Sequence, residues 1–271
     1  MLKTLNKSKQ WLDRIEESRE WKDAITHSIL STKNFYGNSF MSRSDVEKAN
    51  RMLDSAMKSY AVVFNMDTTQ ESLFRLAGTS DKICVLNFAS FFNPGGGFLN
   101  GAKAQEESLC AWSGLYNVLK ENPIYTDRRA RGHVSSLYDS EIIYNKDVPF
   151  TRTQGSTNDI LLADVITCAA PNLNKTKPVD KDKFEKAYLH ALEMRAKAIL
   201  MYPALMGAKS LILGAWGCGV FKNDPEVVAK AFADACSTFG PLYENIVFSI
   251  PDKAVRNKFM RGFIDGKEEE R

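Results

Sequence analysis

The chain has 271 residues, enough to bury a substantial core in one large domain or in one domain with an appendage. Its 44% hydrophobic and 25% charged residues are ordinary for a soluble globular protein, and a formal charge of +3 is too small to announce nucleic-acid binding by bulk electrostatics. Three histidines (27, 133, 190) without ligand spacing, and five scattered cysteines without a C-x-x-C pair, argue against an imidazole metal centre, a zinc site and a disulfide framework.

Residues 1–58 read as helical and rather polar, with Trp11, Ile15, Trp21, Ile25 and Leu30 as contact points. The opening residues lack the apolar run of a signal peptide, and no stretch approaches the roughly 18 apolar residues of a membrane helix, so a reducing, cytoplasmic setting is expected. From Tyr60 the pattern changes. "YAVVFNM" reads as a buried strand, "DTTQESLFRLAG" as a helix capped by Asp67 or Thr68, and "KICVLNFASF" as a second buried strand, which together make a right-handed βαβ unit.

A glycine loop, Gly95-Gly96-Gly97, follows that second strand at the end where α/β sheets hold ligands. Helical spacing then predicts one helix through "QEESLCAWSGLYNVLKE", with Gln105, Glu106 and Glu107 in its first turn. Residues 121–158 read as loop-rich around one strand, "EIIYNKDV". The arginines of "TDRRARGH" (128, 129, 131) are either a solvated loop or a local basic patch. "DILLADVITCAAPN" is a further strand, followed by a long helix over 181–206. "SLILGAWGCGVFKNDP" is a strand entering a second glycine loop, with Asp224 and Pro225 placed to start the next helix. A last strand, "ENIVFSIPD", precedes a short helix and a charged tail. The alternation predicts an α/β domain with a mostly parallel sheet.

Two glycine loops at strand ends point to a phosphate-containing ligand, because glycine lets backbone N–H groups approach closely and a helix amino end adds positive potential. Neither loop is a Walker A or Rossmann fingerprint: the lysine after Gly101 stands one place late, and Asn100 and Lys222 occupy the third-glycine positions. The adjacent acids are more specific. A helix dipole alone favours acids in a first turn. If a ligand buries Glu106 and Glu107 together, however, each charge raises the other's pKa, and the pair can hold a proton for a general acid in glycosidic-bond cleavage.

The blocks "VLNFASFFNPGGGFLNGAKAQEESL", "IIYNKDVPFTR", "ADVITCAAPN" and "LILGAWGCGVFKNDP" resemble bacterial-type poly(ADP-ribose) glycohydrolases, a macrodomain branch with a GGG-X(6–8)-QEE signature. The resemblance covers roughly residues 60 to 265 and less clearly the helical extension 1–58, so residues 59–271 are expected to form the macrodomain-like glycohydrolase domain. It implies a three-layer α/β/α macrodomain with a mixed, mostly parallel sheet. It also implies ADP-ribose between the two loops, release of ADP-ribose from ribose–ribose bonds, ADP-ribosylated proteins as substrates and no cofactor. By the same resemblance Glu107 would be the acid and base. Glu106 would position the ribose hydroxyls, and Gln105 with Gly95, Gly96 and Gly97 would shape that end of the site. Gly217, Cys218, Gly219 and Val220 would offer N–H groups to the diphosphate, and Phe221 would pack on the terminal ribose. Asn87 and Asn93 either touch ribose or stabilise their loops. A non-hydrolytic ADP-ribose reader and a hydrolase of mono-ADP-ribosylated targets share the fold and stay as alternatives.

Overall fold

The computed structural model describes residues 2–56, 59–80, 82–132, 135–175 and 180–268. The expected boundary at residue 58, His133 and the last three residues of the charged tail lie outside them. In chain order the elements are α1 (Leu2–Glu17), α2 (Arg19–Leu30), β1 (Lys33–Phe35), α3 (Arg43–Leu53), β2 (Ala61–Asn65), α4 (Thr69–Leu76), β3 (Ile83–Phe88) and α5 (Gln105–Ala111). They continue with α6 (Leu115–Lys120), α7 (Ile124–Ala130), β4 (Ile142–Phe150), β5 (Leu161–Cys168), α8 (Lys181–Leu205), β6 (Ser210–Leu213), α9 (Pro225–Phe239), β7 (Asn245–Ser249) and α10 (Lys253–Glu268).

The strands form one sheet in the order β1-β4-β5-β3-β6-β7-β2. From β5 to β2 all neighbours are parallel, and β4 runs antiparallel to both β5 and β1. The expected βαβ unit is present with a difference: β2 and β3 are parallel but stand apart, with β6 and β7 between them. Strands buried on both faces need no alternation of polarity, and β3 illustrates this. Cys84 and Leu86 face a core built with α3, α8, α9 and α10, while Ile83 and Val85 face a second core with the tryptophans of α1 and α2 and the leucines of α4 to α6. Helices therefore cover both faces of the sheet in three layers.

The amino-terminal helices are tied into the second core. Trp11 and Trp21 meet edge to face with ring centres 5.0 Å apart. Trp11 Nε1 donates to the carbonyls of Cys110 and Ser113, and Ser8 Oγ donates to Phe98 O. Residues 1–58 also contribute β1, which extends the sheet edge beside β4.

The single helix expected over 105–121 is broken into α5 and α6. Trp112 O accepts Thr151 N–H, Gly114 N–H donates to Pro149 O, and a bridge joins Ser113 to Phe150. A Cβ at Gly114 would sit 2.7 Å from the Ile25 side chain, so the chain needs glycine where it passes beneath α2. Periodicity cannot register this break, because the competing backbone partner lies on β4, far along the chain.

No helix among the described residues is long and apolar enough to cross a membrane.

Candidate active site

The carboxyl ends of β3, β6, β7 and β2 open on one cleft of about 520 Å³. Gln105 fixes how α5 enters it. The Gln105 carbonyl oxygen accepts Phe88 N–H (2.9 Å), while its amide donates to Leu86 O (2.8 Å) and to Thr69 Oγ1 (3.2 Å). Both ends of the side chain are thus spent on β3 and α4, and Gln105 ties α5 to the sheet. Ala104, before the helix, has no capping oxygen, so Glu107 supplies one: its Oε2 accepts Ala104 N–H at 3.0 Å.

The two acids differ in their partners. Glu107 is 9% exposed and its Oε1 accepts Gly97 N–H at 2.7 Å. Glu106 is 3% exposed; it accepts Ser90 N–H at 2.7 Å and Asn87 Nδ2–H at 3.2 Å. Both carboxylates crowd Gly96, which sits at φ +58°. A Cβ there would collide with Glu107 Oε1 and lie 2.9 Å from Glu106 Oε2. The glycine loop is therefore wrapped around the protein's own carboxylates. The expectation of close approach to a ligand alone assigned it a narrower task.

Burial raises the Glu106 pKa from 4.5 to about 8. The Ser90 amide and Asn87 oppose that shift, and the charge of Glu107 adds to it as a smaller contribution than burial. An acid whose folded value lies above its unfolded one contributes stability fully below 4.5 and loses that contribution as pH rises to about 8. In thermal melts Glu106→Gln should therefore gain on the wild type across that interval, with the gap flat above it. A gap that does not change with pH would remove the raised value.

The second loop leaves β6 at Gly214 and turns into α9, which Asp224 caps through Glu226 N–H. Gly217, at φ +74°, lies against Ala170 and Asn223, where a Cβ would collide with both. Asn223, 2% exposed, donates to the carbonyls of Pro171 (2.9 Å) and Gly217 (2.9 Å), and Trp216 Nε1 donates to Cys168 O (2.9 Å). These bonds hold the loop against the end of β5. Cys218 N–H is spent on Ala215 O, whereas the N–H groups of Gly217, Gly219, Val220 and Phe221 meet no acceptor among the described residues. Val220 is 63% exposed and a Cβ at Gly219 would meet open space, so this stretch of the cleft wall is uncovered among the described residues. Cys218 is half-buried in the cleft wall.

Of the residues singled out in the sequence, the cleft gathers Gly96, Gln105, Glu106, Glu107 and Gly217 to Phe221. Asn87 is fully buried beneath Glu106, Asn93 is exposed on the loop before the glycines, and Gly95 and Gly97 stand behind Gly96 rather than on the cleft surface. A third wall was not anticipated. It comprises Thr68, Thr69 and Gln70 at the start of α4 with Ser249 to Asp252 and Val255 at the start of α10. The signal was present as two more strand-to-helix turns, at "MDTT" and "SIPD", which carry no glycine to draw attention. Three helix amino ends, of α4, α5 and α10, consequently open on one space, a favourable setting for an anion.

The arginine cluster supports this floor. Arg128, 2% exposed in α7, bonds Glu141 (2.5 Å) and Phe91 O (3.0 Å), with its guanidinium 4.4 Å from the Phe91 ring centre. Arg129 donates to Phe92 O, and Arg131 pairs with Asp139 and Glu141. The solvated-loop reading fails for Arg128, because it is buried and the carbonyl it satisfies belongs to the loop that follows β3. Among the described residues no three His, Cys, Asp or Glu side chains gather as a metal site.

A family model for the microbial-type PARG catalytic domain matches residues 6–153. Among solved structures, poly(ADP-ribose) glycohydrolase from Thermomonospora curvata bound to the inhibitor ADP-HPD is 28% identical and superposes with a TM-score of 0.79, covering 96% of this chain and 99% of that one. Poly(ADP-ribose) glycohydrolase from Deinococcus radiodurans in complex with ADP-ribose is 31% identical with a TM-score of 0.74, covering 90% of this chain and 97% of that one. No curated protein matches in sequence.

Proposed function

The chain belongs to the microbial-type poly(ADP-ribose) glycohydrolase family, and from that premise we propose that its cleft takes the terminal ADP-ribose of the polymer and cleaves the ribose–ribose bond behind it. The observation that carries this reading is the pair Glu106 and Glu107, both backed by the first glycine loop and both opening on the cleft that receives the free amides of the second.

In this reading the diphosphate lies on the N–H groups of Gly217, Gly219 and Val220, the terminal ribose packs on Phe221, and the base extends toward Thr68 to Gln70 and Ser249 to Asp252. The glycosidic C–O bond breaks with oxocarbenium character at the anomeric carbon, and the leaving ribose oxygen takes a proton from the Glu107 carboxyl. Glu107, then a carboxylate, removes a proton from the water that adds to the anomeric carbon, which restores the acid and frees ADP-ribose. Glu106 orients the ribose hydroxyls, and the proton that burial keeps on it near neutral pH stands ready beside Glu107. Gln105 acts from behind by fixing the first turn of α5. The fully buried Asn87 acts through Glu106, and the exposed Asn93 acts on its own loop, where its carbonyl accepts Gly96 N–H.

We read the substrates as poly(ADP-ribosyl)ated proteins and the activity as the reversal of that modification in the cytoplasm. Five cysteines with no disulfide among them suit a reducing compartment. Residues 59–271 would carry the site, with residues 1–58 bracing it through Trp11 and Ser8. The test is to incubate the protein separately with poly(ADP-ribose) and with mono-ADP-ribosylated protein while following free ADP-ribose. Release from the polymer alone is expected. Release from the mono-modified protein alone would move the scissile bond, and tight ADP-ribose binding with no release would make the protein a reader.

A further inference from the structure

Asn87 and Thr167 face each other across β3 and β5, in register, on the sheet face that also carries Val85 and Val165 against α5. They are 0% and 1% exposed. Asn87 Nδ2 donates to Glu106 Oε1 (3.2 Å) and to Thr167 Oγ1 (3.3 Å), while Asn87 Oδ1 is buried with no hydrogen-bond partner among the described residues. Leaving a buried carbonyl unpaired forfeits its hydration without a replacement, and native proteins rarely accept that without a reason.

We propose that Asn87 is the positioning residue that lets Glu106 take up and release its proton in place, with Thr167 holding the Asn87 amide through the exchange. An ionised Glu106 needs donors, and the present arrangement supplies Nδ2, the Ser90 N–H and, as a smaller contribution, the Gly95 N–H. When Oε1 carries a proton directed at Asn87, two donors face each other across 3.2 Å. Half a turn about the terminal torsion of Asn87, which has a broad two-fold profile, presents Oδ1 to that proton instead. The Thr167 hydroxyl both donates and accepts, so it accepts from Nδ2 in one state and donates to Oδ1 in the other. Glu106 Oε2 keeps the Ser90 amide throughout. The idle Oδ1 is thus the acceptor for the protonated state.

Among the described residues, Glu107 from the same helix acts on Glu106, and Glu106 in turn acts on Cys110 from that helix and on Tyr125 from α7, with Arg128 behind Tyr125. Burial pushes the Cys110 thiol and the Tyr125 phenol up, so both stay neutral. Among the described residues the sheet side offers the uncharged Asn87 and Thr167.

The inference refines the proposed site, but its test is made on the free protein, so it can fail while polymer cleavage stands, or stand while cleavage fails. In NMR titration of protein labelled at the glutamate carboxyl carbons, wild-type Glu106 should titrate near the value of about 8 given above. Asn87→Leu should raise that midpoint by about one unit, because the charge-assisted bond that the ionised form loses is stronger than the neutral one that the protonated form loses. Thr167→Val should move it the same way by less. The side-chain NH₂ signals of Asn87 in the wild type should follow the Glu106 titration between about pH 6 and about pH 10 as the amide turns. An Asn87→Leu midpoint within about 0.3 unit of wild type, or Asn87 NH₂ signals indifferent to the titration, would overturn the proposal. If Asn87→Leu does not fold, Thr167→Val and the wild-type NH₂ signals decide.

Discussion

Glu107→Gln is expected to lower the rate of polymer hydrolysis by about 10²–10⁴-fold, the usual contribution of a placed general acid and base. Glutamine keeps the volume and loses the exchangeable proton. The structure adds a condition to this variant. Glu107 accepts N–H groups from both Gly97 and Ala104, and an amide offers one oxygen, so one of those donors would face the new NH₂. Leaving it unpaired costs about 1–3 kcal/mol of stability, which a lowered Tm would report. ADP-ribose affinity, measured by calorimetry, should change far less than turnover, because the free amides of the second loop and the third wall are untouched. A variant that retains more than about a tenth of wild-type turnover would take Glu107 out of the role.

Gly96→Ala should damage the same step by another route, with polymer turnover reduced by about 10²-fold or more, comparable to a misplaced catalytic group. The added methyl would collide with Glu107 Oε1 and press on Glu106 Oε2 at 2.9 Å, and φ +58° adds strain for any side chain. Both carboxylates must shift to make room, so turnover and Tm should fall together. Gly219→Ala is the matched control: its methyl would enter open space and its φ is ordinary. It should leave Tm unchanged and act, if at all, on ADP-ribose affinity. Equal behaviour of the two variants would show that Gly96 is not shaped by the acids.

The two variants differ for a reason that bears on what could be read in advance. Gly96 and Gly219 look alike in the sequence, each in a glycine-rich turn after a buried strand. One is filled from behind by the protein's own carboxylates and the other opens outward. Spacing could not separate them, since the atoms that crowd Gly96 come from the helix ten residues on. Gln105 is a similar case. Beside two acids at a ligand-end loop it reads as part of the binding surface, yet its amide is committed to Phe88, Leu86 and Thr69. The break after α5 and the buried Arg128 follow the same rule, because each is decided by a backbone carbonyl or amide on an element distant in the chain.

By itself the sequence determined the strand-to-helix alternation, the two glycine loops at strand ends, and a first turn carrying two acids. These follow from local periodicity, glycine's freedom and helix geometry, all of which act within a few residues. Only the tertiary structure decided that Glu106 is the more deeply buried of the two acids and that burial raises its pKa, that Asn87 stands under it with an idle carbonyl, and that the starts of α4 and α10 close the cleft. Burial and hydrogen-bond partnership are properties of the assembled sheet. They arise where β3, β5, α5 and α7 meet, and that meeting is set by strand order rather than by any short stretch of residues.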